Sequence, residues 1–199
     1  MKIALFGTSA DPPTAGHQAV LVWLSHHYDL VAVWAVNNPF KSHQTALDNR
    51  VEMLRLLIAD ISSSRQNIYL EQGLSHLRTV TTVENAKQRW SKDTELVVII
   101  GSDLLDQFQR WYRIGDLLQK AEVLVIPRPG YTIDESSLQN IRELGGEITV
   151  ANLTGLDVSS TAYREHGDTQ ALTPSVAAYI YQKHLYECQD STKTKLYQP

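Results

Sequence analysis

The chain has 199 residues, 43% of them hydrophobic and 20% charged, with a formal net charge of −4. That is enough chain for one domain with a core of its own, and too little for two large ones. An acidic balance offers no sequence-independent grip on nucleic acid, so any anionic ligand must be met by a local positive site.

Apolar, β-rich runs recur along the chain at 2–7, 30–36, 67–72, 95–101, 122–127 and 147–152. The fourth and fifth, ELVVIIG and EVLVIP, are nearly continuous in Val, Ile and Leu, as strands buried on both faces require. Between the runs lie segments of helical period at 16–28 and 47–61. A third, 79–90, opens on Thr79, a good capping residue type, and 104–121 is expected to break near Gly115. The segment 137–146 ends on glycines, and 173–187 opens on Thr-Pro, a cap followed by proline at the first helical position. Strand and helix alternate from end to end, which predicts an open, mainly parallel sheet flanked by helices in a single α/β domain over 1–188. The residues 189–199 read as a polar tail.

The single cysteine, Cys188, excludes an intramolecular disulfide and fits a reducing compartment. The opening MKIALFGT is too short for a membrane span and has no signal-peptide cleavage pattern. A soluble, cytoplasmic protein is expected. No His/Cys cluster has metal-ligand spacing.

In open parallel sheets ligands bind beyond the carboxyl ends of the strands. The stretches 7–17, 37–44, 101–111 and 153–164 are therefore the candidate site. After the first run, Gly7, Thr8 and Ser9 let backbone N–H groups approach an anion, and the helix starting near Gly16 adds its positive dipole end. His17, in that first turn, can donate to a phosphate oxygen. Ser159, Ser160 and Thr161 can cap a second helix facing an anion, with the planar fork of Arg164 one turn later. Beyond the fourth run, Gly101 permits close approach, Asp103 can accept from ribose hydroxyls, and Trp111 offers a flat face to a heterocycle.

TAGH (14–17) resembles the T/H-x-G-H signature of the nucleotidyltransferase superfamily, and VSSTAYR (158–164) resembles its second signature, I-S-S-T-x-I-R. GSDLLDQFQRW (101–111) looks like the G-x-D…W element of the nicotinate-nucleotide adenylyltransferase branch. PFK (39–41), RTVTTVENA (78–86), VIPRPGY (125–131) and the C-terminal helical segment resemble the same branch. The likeness spans about residues 2–186, and the motifs keep their order. It implies a Rossmann-like nucleotidyltransferase fold and transfer of AMP from ATP to nicotinate mononucleotide, with Mg²⁺ accompanying ATP.

The resemblance assigns catalytic roles to His17, Arg164 and Thr14. It assigns ATP contacts to Gly7, Thr8, Ser9, Gly16, His17, Gly101, Asp103, Ser159, Ser160, Thr161 and Arg164. It also implies that Lys41 reaches the mononucleotide phosphate, Thr79 receives the nicotinate carboxylate, and Trp111 with Tyr112 forms the ring pocket. The chain departs from the family pattern at Thr14, where the signature usually begins with His, at Thr8 and Ala10 in the first loop, and at Tyr163. Two alternatives stay open: the same chemistry on nicotinamide mononucleotide or phosphopantetheine, and a non-catalytic nucleotide-binding regulator. The expected partners are small molecules, with no nucleic acid or membrane; a homo-oligomer is compatible with the sequence.

Overall fold

Six strands, β1 (Lys2–Thr8), β2 (Leu30–Ala35), β3 (Ile68–Leu70), β4 (Glu95–Gly101), β5 (Glu122–Ile126) and β6 (Ile148–Val150), form one sheet in the order β3-β2-β1-β4-β5-β6. Every neighbouring pair is parallel. The computed structural model describes residues 1–37, 44–62, 65–153 and 156–186. Lys41, Cys188 and the 189–199 tail lie outside the described residues.

The strand order runs outward in both directions from β1 and β4, so the switch point falls between their carboxyl ends. Residues alternate between two packed layers. Ile3, Leu5, Val98 and Ile100 face one apolar cluster with Val83, Phe108, Leu117 and Ile141. Those partners come from α3 (Thr79–Trp90), α4 (Leu105–Phe108), α5 (Ile114–Leu118) and α6 (Glu135–Glu143). Ala4, Val31, Val33, Val97 and Ile99 face the other cluster, with Leu21, Leu24, Met53, Leu57 and Val176. These belong to α1 (Ala15–His27), α2 (Leu47–Ala59) and α8 (Pro174–Gln182). β4 is buried on both faces from Leu96 to Ile100, which is why its sequence reads as an unbroken apolar run. Each such fully buried aliphatic side chain contributes roughly 1.5–3 kcal/mol.

Two sequence expectations are corrected and one is sharpened. The 104–121 segment breaks near Gly115, as expected: the interruption is at 109–113, and Gly115 itself lies inside α5. There Arg113 takes a left-handed φ of 52° and turns the chain. Thr79 is not the cap of α3: Arg78 occupies the N-cap position and no side chain closes that end. The edge strands β3 and β6 are three residues each, shorter than their apolar runs. Thr173 is the N-cap of α8, yet its hydroxyl is buried without a partner among the described residues.

Candidate active site

The carboxyl ends of β1 and β4 open into a cleft of about 1410 Å³. Its floor is formed by Gly7, Thr8 and Ser9 on one side and by Gly101 and Asp103 on the other. Both glycines also sit against a neighbouring side chain, beside the close backbone approach expected for them. A Cβ on Gly7 would lie 2.8 Å from the Trp34 indole, and one on Gly101 would lie 2.3 Å from Asp103 Oδ1.

Thr14, His17 and Gly16 form the first turn of α1 at the cleft wall. The Thr14 backbone N–H donates to His17 Nδ1 at 3.1 Å, and the Thr14 hydroxyl lies 2.9 Å from the same nitrogen. A backbone donor can only meet an unprotonated ring nitrogen, so the proton sits on Nε2. That leaves Nε2–H as the ring's remaining donor. Burial, with the Arg128 charge second, lowers the His17 pKa to about 4, so the ring is neutral near pH 7. Thr14 is itself buried. In this geometry the residue that departs from the family signature orients His17.

α7 (Ser160–His166) docks directly on the loop that precedes α1. Ser160 Oγ donates to the Pro12 carbonyl at 2.7 Å, and Arg164 Nη1 donates to the Asp11 carbonyl. Val158 packs on Gly16, where an added Cβ would stand 3.2 Å from Val158 Cγ2. The two signatures, 14–17 and 158–164, thus share one wall of the cleft. The hydroxyls of this helix start are also bonded inside the protein: Ser159 Oγ accepts from the Ala162 N–H at 3.0 Å and Thr161 Oγ1 accepts from Arg164 Nη2 at 3.3 Å, which leaves each its own O–H to donate. Of the three, Ser160 is the one whose proton is engaged by a protein carbonyl among the described residues.

The far wall carries Thr79, Trp111 and Tyr112. Trp111 packs its ring against Phe108, with centroids 4.8 Å apart and a 58° tilt, while still lining the cleft. One aromatic therefore serves core and cleft at once. Thr79 opens α3, whose first N–H groups have no side-chain cap.

Several cleft residues escaped the sequence reading. Arg128, Arg78, Arg110 and His76 line it, so an acidic chain has gathered four nitrogen-bearing side chains at one opening. Arg128 Nη1 pairs with Asp103 Oδ2 at 2.9 Å, and its backbone N–H donates to Ser102 Oγ at 2.9 Å. The end of β5 thereby belongs to the site, and the VIPRPGY stretch was the signal for it. Beneath the cleft, buried Arg50 donates to the carbonyls of Ser9, Val36 and Thr45 at 2.8–2.9 Å. No local pattern in the sequence marks that brace.

Among the described residues, no group of three His, Cys, Asp or Glu side chains is placed to hold a metal ion, and no helix is long and apolar enough to cross a membrane.

The cytidylyltransferase-like family model matches residues 5–166. A protein of Synechocystis sp. named "Probable nicotinate-nucleotide adenylyltransferase" is 39% identical over 94% of this chain and 99% of its own length. The nicotinate-nucleotide adenylyltransferase of Bacillus subtilis is 29% identical over 94% of this chain and 98% of its own. In fold, the chain is similar to the Plasmodium falciparum nicotinic acid mononucleotide adenylyltransferase complexed with NaAD. That match has a TM-score of 0.80 and 22% identity, over 93% of this chain and 97% of that one. With both signatures on one cleft at the sheet's switch point, the chain belongs to the cytidylyltransferase-like family and, within it, to the nicotinate-nucleotide adenylyltransferases.

Proposed function

We infer that the chain transfers AMP from ATP to nicotinate mononucleotide, forming nicotinate adenine dinucleotide and pyrophosphate in NAD biosynthesis. The observation that carries this reading is the docking of the two signatures: Ser160 on Pro12 and Arg164 on Asp11 set His17 and Arg164 on one wall. In the reaction an oxygen of the mononucleotide phosphate attacks the α-phosphorus of ATP. A new P–O bond forms, the bond from the α-phosphorus to the bridging oxygen breaks, and pyrophosphate leaves with that electron pair. No covalent enzyme intermediate is required, so the protein's task is positioning and charge stabilisation.

The residues divide that task. His17 Nε2–H, the N-terminal N–H groups of α1, Arg128 and Arg164 face the triphosphate. Gly7, Thr8, Ser9 and Gly16 shape the backbone beside it, and Thr14 positions His17. Gly101 and Asp103 lie on the nucleoside side, with Ser159, Ser160 and Thr161 holding α7 in place. Thr79, Trp111 and Tyr112 form the pyridine pocket, and Lys41 reaches the mononucleotide phosphate. The Asp103 carboxylate is already paired with Arg128. Mg²⁺ would therefore be held by phosphate oxygens and enter as part of the nucleotide, where it neutralises phosphate charge. The enzyme would work in the cytosol on small molecules.

The test is pyrophosphate release by the purified protein with Mg²⁺ and ATP, offered nicotinate mononucleotide, nicotinamide mononucleotide and phosphopantetheine in parallel. Preference for the first is the expected result. Preference for another acceptor would keep the His17–Arg164 site and void the ring pocket. ATP binding without turnover on any of them would leave a non-catalytic nucleotide binder.

A further inference from the structure

Arg78 lines the cleft beside Thr79, Trp111 and Tyr112. Its guanidinium carbon lies 5.1 Å over the Tyr112 ring, an attraction of cation to ring face that fixes where the charge sits. Its backbone is extended, with φ −119° and ψ 122°, so Arg78 stands outside α3 while its carbonyl receives the Thr81 and Thr82 N–H groups. As first N–H groups of α3, those of Thr79 and Val80 have no intrahelical carbonyl to meet, and no side chain caps that end. Arg55, Arg89, Arg113, Arg128 and Arg142 each pair with a carboxylate. Among the described residues, no such ion pair engages the Arg78 guanidinium. Its backbone N–H donates to His76 Nδ1 at 3.2 Å, which spends none of the side chain's donors.

We propose that Arg78 is a specificity residue: its guanidinium, held over Tyr112 at the uncapped start of α3, selects an acceptor whose pyridine ring bears a carboxylate over one bearing a neutral amide. The proposal rests on the pyridine-mononucleotide reading above. Guanidinium presents donors only, in a planar fork that two carboxylate oxygens match. An amide offers one acceptor oxygen and turns its own N–H donors toward those of Arg78. The positive end of the α3 dipole acts in the same direction, favouring the anion. The mononucleotide phosphate and ribose are common to both acceptors, so a contact there would not discriminate.

The experiment compares wild type, Arg78→Met and Arg78→Lys in pyrophosphate release with each mononucleotide, at low and high salt. Arg78 is exposed, so the variants should keep the wild-type thermal midpoint. For Arg78→Met, kcat/KM with nicotinate mononucleotide should fall about tenfold or more through a rise in KM, as expected for a lost charge-assisted hydrogen bond. With the amide it should stay within about twofold. Arg78→Lys, a point charge without the fork, should keep part of the preference. Salt should erode the wild-type preference and leave that of Arg78→Met flat. Equal losses on both acceptors would overturn the proposal and assign Arg78 to the shared phosphate, and so would no loss on either. Wild type that uses phosphopantetheine and neither pyridine nucleotide would overturn the pyridine reading itself, and the proposal with it.

Discussion

The Tyr186 hydroxyl donates to Asp11 Oδ1 at 2.6 Å, tying the C-terminal end of the described chain to the loop that leads into His17. The same ring meets Tyr163 edge-on, with centroids 5.7 Å apart and planes at 89°, one residue before Arg164. Burial, and then the Asp11 carboxylate, push the Tyr186 hydroxyl well above its ordinary pKa, so it remains a proton donor throughout the working range. One tyrosine thus touches both segments that carry the signatures.

Tyr186→Phe keeps the ring contact with Tyr163 and removes only the donor. Asp11 is 5% exposed, and its other oxygen has a long 3.4 Å bond from the Thr45 N–H. Leaving that buried carboxylate underpaired should cost about 1–3 kcal/mol, read as a lower urea midpoint at unchanged slope. Turnover should fall with it, because the 9–14 loop is what the bond holds. An unchanged midpoint together with unchanged kcat would show that Tyr186 does neither.

His17 links stability to pH. Burial first, and Arg128 second, take its folded pKa to about 4, against 6.5 for the ordinary group. As pH falls below 6.5 the unfolded chain binds a proton that the folded chain refuses until about 4. The contribution is therefore fully present above pH 6.5 and is lost as pH falls toward 4. His17→Asn should flatten the drop in urea midpoint between pH 7 and pH 5; an identical slope would contradict the neutral, half-buried imidazole. At pH 7.5 His17→Ala should fold and lose about 10²–10³-fold in kcat, the usual effect of removing one preorganised donor.

The parts of the architecture written in short-range pattern were legible. β4 and β5 announce themselves as apolar runs, and α1 and α2 by their period, because sheet and helix burial repeat every two or 3.6 residues. The two signatures were legible as helix starts after strands. What joins them was not: Ser160 to Pro12, Arg164 to Asp11 and Tyr186 to Asp11 each close loops of about 150 residues or more, and no local spacing encodes such a pair. Thr79 misled because threonine is a good cap, whereas α3 begins uncapped at the cleft. Gly7 is expected to let backbone N–H groups approach an anion and Gly101 to permit close approach; that their missing side chains also make room for Trp34 and Asp103 is marked by no local pattern.

Gly7→Ala tests that last point. Its φ is not in the left-handed region, so the backbone tolerates alanine and only the 2.8 Å approach to the Trp34 indole opposes it. Trp34 is 6% exposed and cannot swing into solvent without leaving the core. The substitution should cost about 1–3 kcal/mol of overpacking and shift the tryptophan fluorescence. A wild-type midpoint with an unmoved spectrum would mean the indole has room the structure does not show.

Arg50 offers the sharpest test of how the site is held. It is 2% exposed, and its three hydrogen bonds reach the carbonyls of Ser9, Val36 and Thr45, tying the loop after β1 to the end of β2 and the approach to α2. Arg50→Met leaves three carbonyls without their donor and Asp11 without its nearby counter-charge, so a loss of about 3–5 kcal/mol is expected. Arg50→Lys restores the charge with a single nitrogen and should recover part of the stability, less than the fork provides. Adding Asp11→Asn separates the two causes. If charge balance dominates, the Arg50→Met/Asp11→Asn pair should be more stable than the sum of the single changes, with a coupling of about 1 kcal/mol or more in a double-mutant cycle. If the carbonyl bonds dominate, the losses should add, and Arg50→Lys should remain close to Arg50→Met.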